Sequence, residues 1–328
     1  MFAFPDRVLI LIAACGIEAV LAYPAILFGA IGHPVSWIGA AISALESRLN
    51  RPDWPAASRC VVGIVTTMLL VAVGLGVGLA LEMLFRSVPI LGFILAIVVV
   101  AMLIAAGSLD QHVRAVAAAL RTDGLEGGRQ SIAKIVGRDP QALDQAAICR
   151  AAIESLAENA SDGVTAPALW YLVFGLPGMI AYKAINTADS MIGHMSQRYR
   201  AFGWASAKLD DLVNLPASRL TGLMFIAAAS VVPGASATSA WRAFWRDAKQ
   251  HRSPNAGWSE AAMAGALGLR LAGPRVYDGE LVDDHWMGDG RSEASMDDID
   301  RALTIYRTAF AGMLAIVAAI GWLVSARG

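Results

Sequence analysis

The sequence predicts an all-α, polytopic helical integral membrane protein. Hydrophobic residues make up 56% of the 328-residue chain and mean hydropathy is +0.54, where soluble domains run to about 45–50% apolar. The excess is gathered into blocks long enough to cross a hydrocarbon core, which takes roughly 20 helical residues. No period-2 alternation runs long enough for a sheet, and no internal repeat is visible.

The first block, residues 8–31, is apolar except for Glu18. It lacks a multi-charge leader and outruns the roughly 7–15 apolar residues of a secretory signal, so it is expected to be a retained span. Residues 60–81 and 88–106 contain no charge, and the second block is expected to span to about residue 108. Residues 303–324 enclose only Arg307. Two weaker stretches follow a different pattern. Residues 166–185 hold Pro167, Gly175, Pro177 and Gly178, with Lys183 near the end, and residues 217–235 end in Val232-Pro233-Gly234. Pro and Gly break helical hydrogen bonding, and irregular backbone at membrane depth needs cover from protein or a water-filled cavity. These two are either full but broken helices or re-entrant segments. The expectation is a single membrane domain over residues 1–328, with four strong transmembrane helices, two broken or re-entrant segments and helical cytoplasmic loops.

Polar loops at residues 32–59, 110–165, 186–216 and 241–301 hold nearly all the charge. In the second, Gly124, Gly127, Gly128, Gly137 and Asp139-Pro140 are turn signals. Asp139 is placed to cap a helix begun by Pro140 and running through Glu158. If all six segments cross, loop 186–216 faces away from loops 110–165 and 241–301; if the two broken ones do not, all three share a side. The Lys and Arg content of these loops puts that side in the cytoplasm, and the second arrangement lets the acidic motifs meet, as would a site at the membrane midplane.

Several functions are excluded at this level. A net charge of −1 gives no basic field for nucleic acid. Cys15, Cys60 and Cys149 are far apart with no CxxC pair, so neither disulfide nor zinc site is expected. The P-loop, GxSxG and HExxH patterns are absent.

Chemistry is concentrated between Glu154 and His194. Carboxylates beside hydrocarbon are costly and are functional candidates by default. Glu154, Glu158 and Asp162 are spaced i, i+4, i+8 and share a helix face. Asn159 and Ser161 add oxygen ligands, and Asp162-Gly163 is expected to end the helix. Magnesium takes such carboxylate oxygens together with phosphate oxygens. Asn186 and Asp189, three apart and followed by Ser190, are expected to form a second wall of the same metal–phosphate pocket. Lys208, next to Asp210 and Asp211, offers a point charge for phosphate. The stretch from Lys249 to Trp258, with His251, Arg252, Ser253 and Asn255, opens a small-residue helix at Glu260–Leu269, whose N-terminus would favour an anion. His33, before Pro34, is expected to be a packed or capping residue.

Ordered motifs point further. Glu158-Asn159-Ala160-Ser161-Asp162-Gly163, Asn186-Thr187-Ala188-Asp189-Ser190-Met191, Tyr199 with Phe202-Gly203-Trp204, Lys208-Leu209-Asp210-Asp211 and Ser253-Pro254-Asn255-Ala256-Gly257-Trp258 together resemble the membrane cobinamide-phosphate synthases of cobalamin biosynthesis, the CobD/CbiB family. His33-Pro34-Val35, Gly273-Pro274 and Trp286-Met287-Gly288-Asp289-Gly290 match as well, so the resemblance covers nearly the whole chain in order. One departure is Ala22-Tyr23-Pro24 where family members often carry Gly-Asp-Pro.

The resemblance implies an ATP- and magnesium-dependent ligase. It joins the propionate carboxylate of adenosylcobyric acid to (R)-1-amino-2-propanol or its O-phosphate. Catalytic residues would be Glu154, Glu158, Asp162 and Asp189, with Glu158, Asp162 and Asp189 as metal ligands. Glu154 and His194 are candidate general bases; Lys208, Arg198 and His251 would hold phosphates. Asn159, Ser161, Asn186, Asp210, Asp211, Ser253 and Asn255 would complete the substrate site. Implied partners are the corrinoid, the amine, the lipid bilayer and other cobalamin-biosynthesis proteins, at a bacterial inner membrane with the site facing the cytoplasm. The rival readings are a transporter using intramembrane polar residues and a non-catalytic membrane sensor or scaffold.

Overall fold

The structure, a computed structural model, describes residues 2–21, 32–136, 140–277, 280–282 and 284–327. It is an all-α polytopic membrane protein, with five helical stretches long and apolar enough to cross a bilayer: Ala56–Ser87, Pro89–Thr122, Gln145–Ile192, Trp204–Ala229 and Met296–Ser325. The expected spans at 60–81 and 303–324 fall inside two of these, and that at 88–108 overlaps a third from Pro89 onward. The expected span at 8–31 is helical as α1 (Phe4–Leu21), and residues 22–31, with the Ala22-Tyr23-Pro24 departure, lie outside the described residues. Among the described residues, strands are confined to two antiparallel pairs of two or three residues each, β1 (Leu271–Ala272) with β4 (Trp286–Met287) and β2 (Arg275–Tyr277) with β3 (Glu280–Val282).

The chain forms two compact units. The first comprises residues 1–105, 166–214 and 318–328; the second comprises residues 106–165 and 215–317. The first contains α1, α2 (Pro34–Leu49), α3 (Ala56–Ser87), α4 (Pro89–Leu103), α8 (Ala166–Ile192) and the start of α9 (Trp204–Ala229). Small residues let α3 approach α8 closely, the usual device between helices in lipid. A Cβ on Gly74 would lie 2.9 Å from Ala181 Cα, and one on Gly78 only 2.4 Å from Pro177 Cα. The outer faces of α3 and α4 expose Val65, Met68, Val73, Met83, Ile90 and Ile94, as lipid contact requires.

The expected break in residues 166–185 is present as a kink inside one helix, at Gly175 with φ 68°. Pro177 has no N–H for the Val173 carbonyl four residues back. Arg7 replaces it, donating to Val173 O at 3.0 Å and to Leu172 O at 3.1 Å. The other weak stretch, at 217–235, contains no kinked or re-entrant helix: α9 runs through it to Ala229 and is followed by turns.

The second unit contains α5 (Ala106–Thr122), α6 (Gly124–Ile132), α7 (Gln145–Asn159), the rest of α9, α10 (Ala237–Arg246), α11 (Ala256–Leu267) and most of α12 (Met296–Ser325). Every residue of α11 is buried, which accounts for its Ala and Gly content: it fills a core against α7 and α10 that has no room for larger side chains. It starts at Ala256 and not at Glu260, and Gly268 ends it in the left-handed conformation at φ 67°.

Two expectations are corrected in this unit. The helix carrying the first acidic motif begins at Gln145, because Asp144 caps it by accepting from Ala147 N–H at 2.7 Å; Pro140–Ala142 is a separate 3₁₀ turn, and Asp139 lies outside the described residues. Asp162-Gly163 does not end the helix. Residues Ala160–Thr165 widen into a π-turn that runs into α8. Thr165 Oγ1 donates back to the Ala160 carbonyl at 3.0 Å and accepts from Thr221 Oγ1 at 2.9 Å.

Candidate active site

In the second unit the first acidic motif straddles the α7–π junction. The buried face of α7 positions Glu154, whose Oε1 accepts from the Ala272 N–H at 2.9 Å. Glu154 therefore anchors β1 to α7 from a buried position. Glu158 and Asn159 are exposed and Asp162 is half-buried. Asn159 Nδ2 donates to Ser155 O at 2.9 Å, which holds the side chain back along α7. Ser161 is 2% exposed and its Oγ has no hydrogen-bond partner among the described residues. Buried hydroxyls are rarely left so, and π-turns concentrate at functional sites.

In the first unit the second motif occupies the last turns of α8 and faces the start of α9. Asn186 Nδ2 donates to Asp210 Oδ1 at 3.3 Å, Asn214 Nδ2 donates to Asp210 Oδ2 at 2.9 Å, and Tyr182 OH donates to Asn214 Oδ1 at 2.9 Å. Asp210 and Asn214 are buried. Asp189 is half-buried, within electrostatic range of Asp211, Asp210 and His194. A Cβ on Gly193 would meet Asp189 Oδ1 at 1.9 Å, so glycine is needed for that carboxylate to fold back over the helix end. Lys208 pairs with Asp211 at 3.2 Å and is exposed, and His194 is exposed. The structure thus brings Asn186, Asp189, Asp210 and Asp211 together, while Glu158 and Asp162 belong to the other unit.

Four sequence candidates, Arg198, Ser253, Asn255 and His251, are engaged in structural bonds. Arg198 holds Glu46 in a two-point fork, Nε to Oε1 at 2.8 Å and Nη2 to Oε2 at 2.9 Å. Arg198 thereby holds the Glu46 carboxyl below the ordinary glutamate range, helped by Asn50 against the opposing effect of burial. Ser253 Oγ accepts from the Asn255 and Ala256 N–H groups at 3.2 Å each, so it caps α11. Asn255 is buried, its Oδ1 accepting from Ser218 Oγ at 3.2 Å and Arg219 Nη1 at 3.3 Å. His251 Nδ1 accepts from Ser253 N–H at 3.0 Å, and Nε2 lies 3.7 Å from Glu260 Oε1. His33 caps α2, its Nδ1 accepting from Val35 N–H at 3.2 Å; burial, with nearby Lys183, lowers its pKa.

Sequence reasoning missed Arg219. Its guanidinium stacks 4.7 Å over the Trp258 ring and donates to Leu215 O at 2.9 Å. The available signal was a basic residue inside an apolar helix three positions after Pro216.

Among the described residues no three His, Cys, Asp or Glu side chains cluster as a ready-made ion cage. Magnesium is commonly held by one or two carboxylates plus substrate phosphates. Glu158 and Asp162, two accessible carboxylates flanking the partnerless Ser161 hydroxyl, are a donor set that fits it.

Fold and site together define a multi-pass helical membrane protein with two oxygen-rich acidic patches carried on its long apolar helices. Its family is clear from comparison. The family model described as CobD/Cbib protein matches residues 11–306, and the chain belongs to that family. It is 51% identical over 314 residues to Cobalamin biosynthesis protein CobD of Sinorhizobium sp, covering 95% of this chain and 97% of that one. The protein of the same description from Rhizobium meliloti (strain 1021) is 50% identical, covering 93% and 94%; that from Brucella suis biovar 1 is 47% identical, covering 95% and 96%. No solved structure matches.

Proposed function

We propose that this protein acts in cobalamin biosynthesis as an ATP-dependent acid–amine ligase, joining the propionate carboxylate of adenosylcobyric acid to (R)-1-amino-2-propanol or its O-phosphate. The observation that carries the reading is the π-turn at Ala160–Thr165, which presents Glu158 and Asp162 beside the partnerless Ser161 hydroxyl in a chain about half identical to proteins named for cobalamin biosynthesis.

A carboxylate is a poor acylating group. Transfer of the γ-phosphoryl of ATP to its oxygen gives an acyl phosphate and ADP. The amine nitrogen then attacks the carbonyl carbon, the C–O bond to phosphate breaks, and the nitrogen loses a proton. Bound magnesium would supply neutralisation of charge on the phosphates, with Glu158 and Asp162 to hold it. Glu154 fixes α7, and with it Glu158, through the bond to Ala272. The first unit separately carries Asp189, a further candidate metal carboxylate, Lys208, a candidate phosphate cation that pairs with Asp211 at 3.2 Å, and exposed His194, a candidate proton acceptor. Arg198 and His251 are engaged with Glu46 and Glu260.

The test is direct. Purified protein is incubated with adenosylcobyric acid, aminopropanol phosphate, ATP and magnesium, and the amide is sought by mass spectrometry. Product is expected, and is expected to be lost in Glu158→Gln and Asp162→Asn with the protein still folded. Full activity in both variants refutes the role given to the π-turn. Transport is the second reading, favoured by the kink at Gly175, whose added Cβ would meet the buried Glu82 carboxylate at 2.7 Å. It requires substrate flux in proteoliposomes with no covalent product.

A further inference from the structure

A cavity of about 780 Å³ opens in the first unit, remote in sequence from the first acidic motif and lined by Arg59, Cys60, Met195, Gln197, Arg200 and Trp204 among others. Its walls are the first turn of α3, the loop after α8 and the first residue of α9. Both α3 and α9 are long and apolar enough to cross a bilayer. The cavity therefore sits at the level where two spans begin, which is where lipid headgroups meet protein.

Its chemistry is two-sided. Cys60, Met195 and Trp204 give an apolar wall, and Trp204 is 50% exposed, as interfacial tryptophans are. Arg59 and Arg200 give the polar side. Arg59 is oriented by donating through Nε to Asn50 Oδ1 at 2.9 Å and through Nη2 to the Arg198 carbonyl. Arg200 is exposed, and among the described residues its guanidinium pairs with no carboxylate. The segments that build this end, residues 46–60 and 196–204, carry Arg48, Arg51, Arg59, Arg198 and Arg200 against only Glu46 and Asp53. Glu46 is already taken by Arg198. These two segments are therefore net positive.

We propose that this cavity binds the headgroup phosphate of an acidic phospholipid, with Arg200 and Arg59 on the phosphate and the acyl chains along the apolar wall. The apolar wall distinguishes a lipid from a free phosphate, and the guanidinium pair distinguishes an anionic headgroup from a zwitterionic one. Guanidinium suits a phosphate because its planar donors match the oxygens in pairs.

The test uses the full chain in detergent, with three probes: dihexanoyl-phosphatidylglycerol, dihexanoyl-phosphatidylcholine and inorganic phosphate. Retained ligand is counted by native mass spectrometry, and binding is followed by Trp fluorescence against a Trp204→Phe control. Phosphatidylglycerol is expected to bind more tightly than phosphatidylcholine, and inorganic phosphate is expected not to compete at equal concentration. Arg200→Gln is expected to weaken phosphatidylglycerol about fivefold, the worth of one basic group at an anionic lipid surface. Arg86→Gln, exposed at the far end of α3 from Arg59, is expected to change it little. Equal binding of both lipids, equal loss in the two variants, or full competition by inorganic phosphate each overturns the proposal. Unchanged melting of lipid-free Arg200→Gln separates loss of binding from loss of fold.

Discussion

Gly78→Ala tests the packing logic of the membrane core most directly. The added Cβ would sit 2.4 Å from Pro177 Cα and 2.5 Å from Pro177 N, where ordinary contact begins at 3.4 Å. The obstacle is backbone, so no side chain can rotate away, and α3 and α8 must separate by about 1 Å over several turns. Overpacking of this kind costs about 1–3 kcal/mol. Pro177 also sits directly after the kink, so separation strains the segment that Arg7 holds through the carbonyls of Leu172 and Val173. Gly76, two residues earlier, has nothing within 4 Å of an added Cβ, so Gly76→Ala is the matched control. It should be neutral or gain up to about 1 kcal/mol from helix propensity. Thermal unfolding of both variants in the same detergent, followed by circular dichroism, reads the difference. Gly78→Ala melting with or above Gly76→Ala would refute the close approach of the two helices.

Arg7→Ala strips the guanidinium donor from the Leu172 and Val173 carbonyls; each buried carbonyl left bare costs about 1–3 kcal/mol, so the melting temperature should fall clearly, and an unchanged value would show that the kink does not depend on this cap. Glu46 has a folded pKa below its ordinary 4.5, so its contribution to stability is present above that value and is lost as pH falls through the lowered folded pKa. Wild type should therefore lose its margin over Glu46→Gln between about pH 4.5 and acid conditions, and parallel melting curves across that range would contradict the fork. Ser161→Ala removes a buried hydroxyl with no partner, so stability should stay within about 0.5 kcal/mol, while ligation, if Ser161 donates to a bound group, should slow roughly five- to tenfold; a variant with unchanged ligation kinetics would assign the hydroxyl no part in the reaction.

The spans were legible because hydrocarbon imposes a length and a composition that any helix must meet. Their ends were less so. The helix over residues 60–81 extends to Ala56 and Ser87 because Glu82, which reads as a terminator, is buried with its Oε1 accepting from the Phe2 N–H at 2.6 Å. That partner lies 80 residues away, and local hydropathy carries no trace of it. The π-turn was hidden for the same reason. Asp162-Gly163 has the composition of a helix stop, yet Thr221, 56 residues on from Thr165, supplies the hydroxyl that steadies the widened turn.

The candidate site divides along this line of local against distant information. Asn186 and Asp189 lie on α8 three residues apart as their spacing implies, whereas the i, i+4, i+8 face expected for Glu154, Glu158 and Asp162 is broken: Glu154 is buried, Glu158 is exposed, and the π-turn shifts the register before Asp162. Arg198 and Asn255 read locally as free polar groups for a ligand, and both are claimed by residues far off in the chain, Glu46 and Arg219. An arginine's charge alone does not mark a ligand site; what matters is whether a carboxylate has reached it first. By that criterion Arg198 is structural, and Arg200, two residues on, is a cation that pairs with no carboxylate among the described residues. Burial separates Glu154, bound to Ala272, from Glu158, one turn later and exposed. The proposed chemistry rests on the second half of the motif, where the π-turn changes the helix and leaves Ser161 without a partner among the described residues.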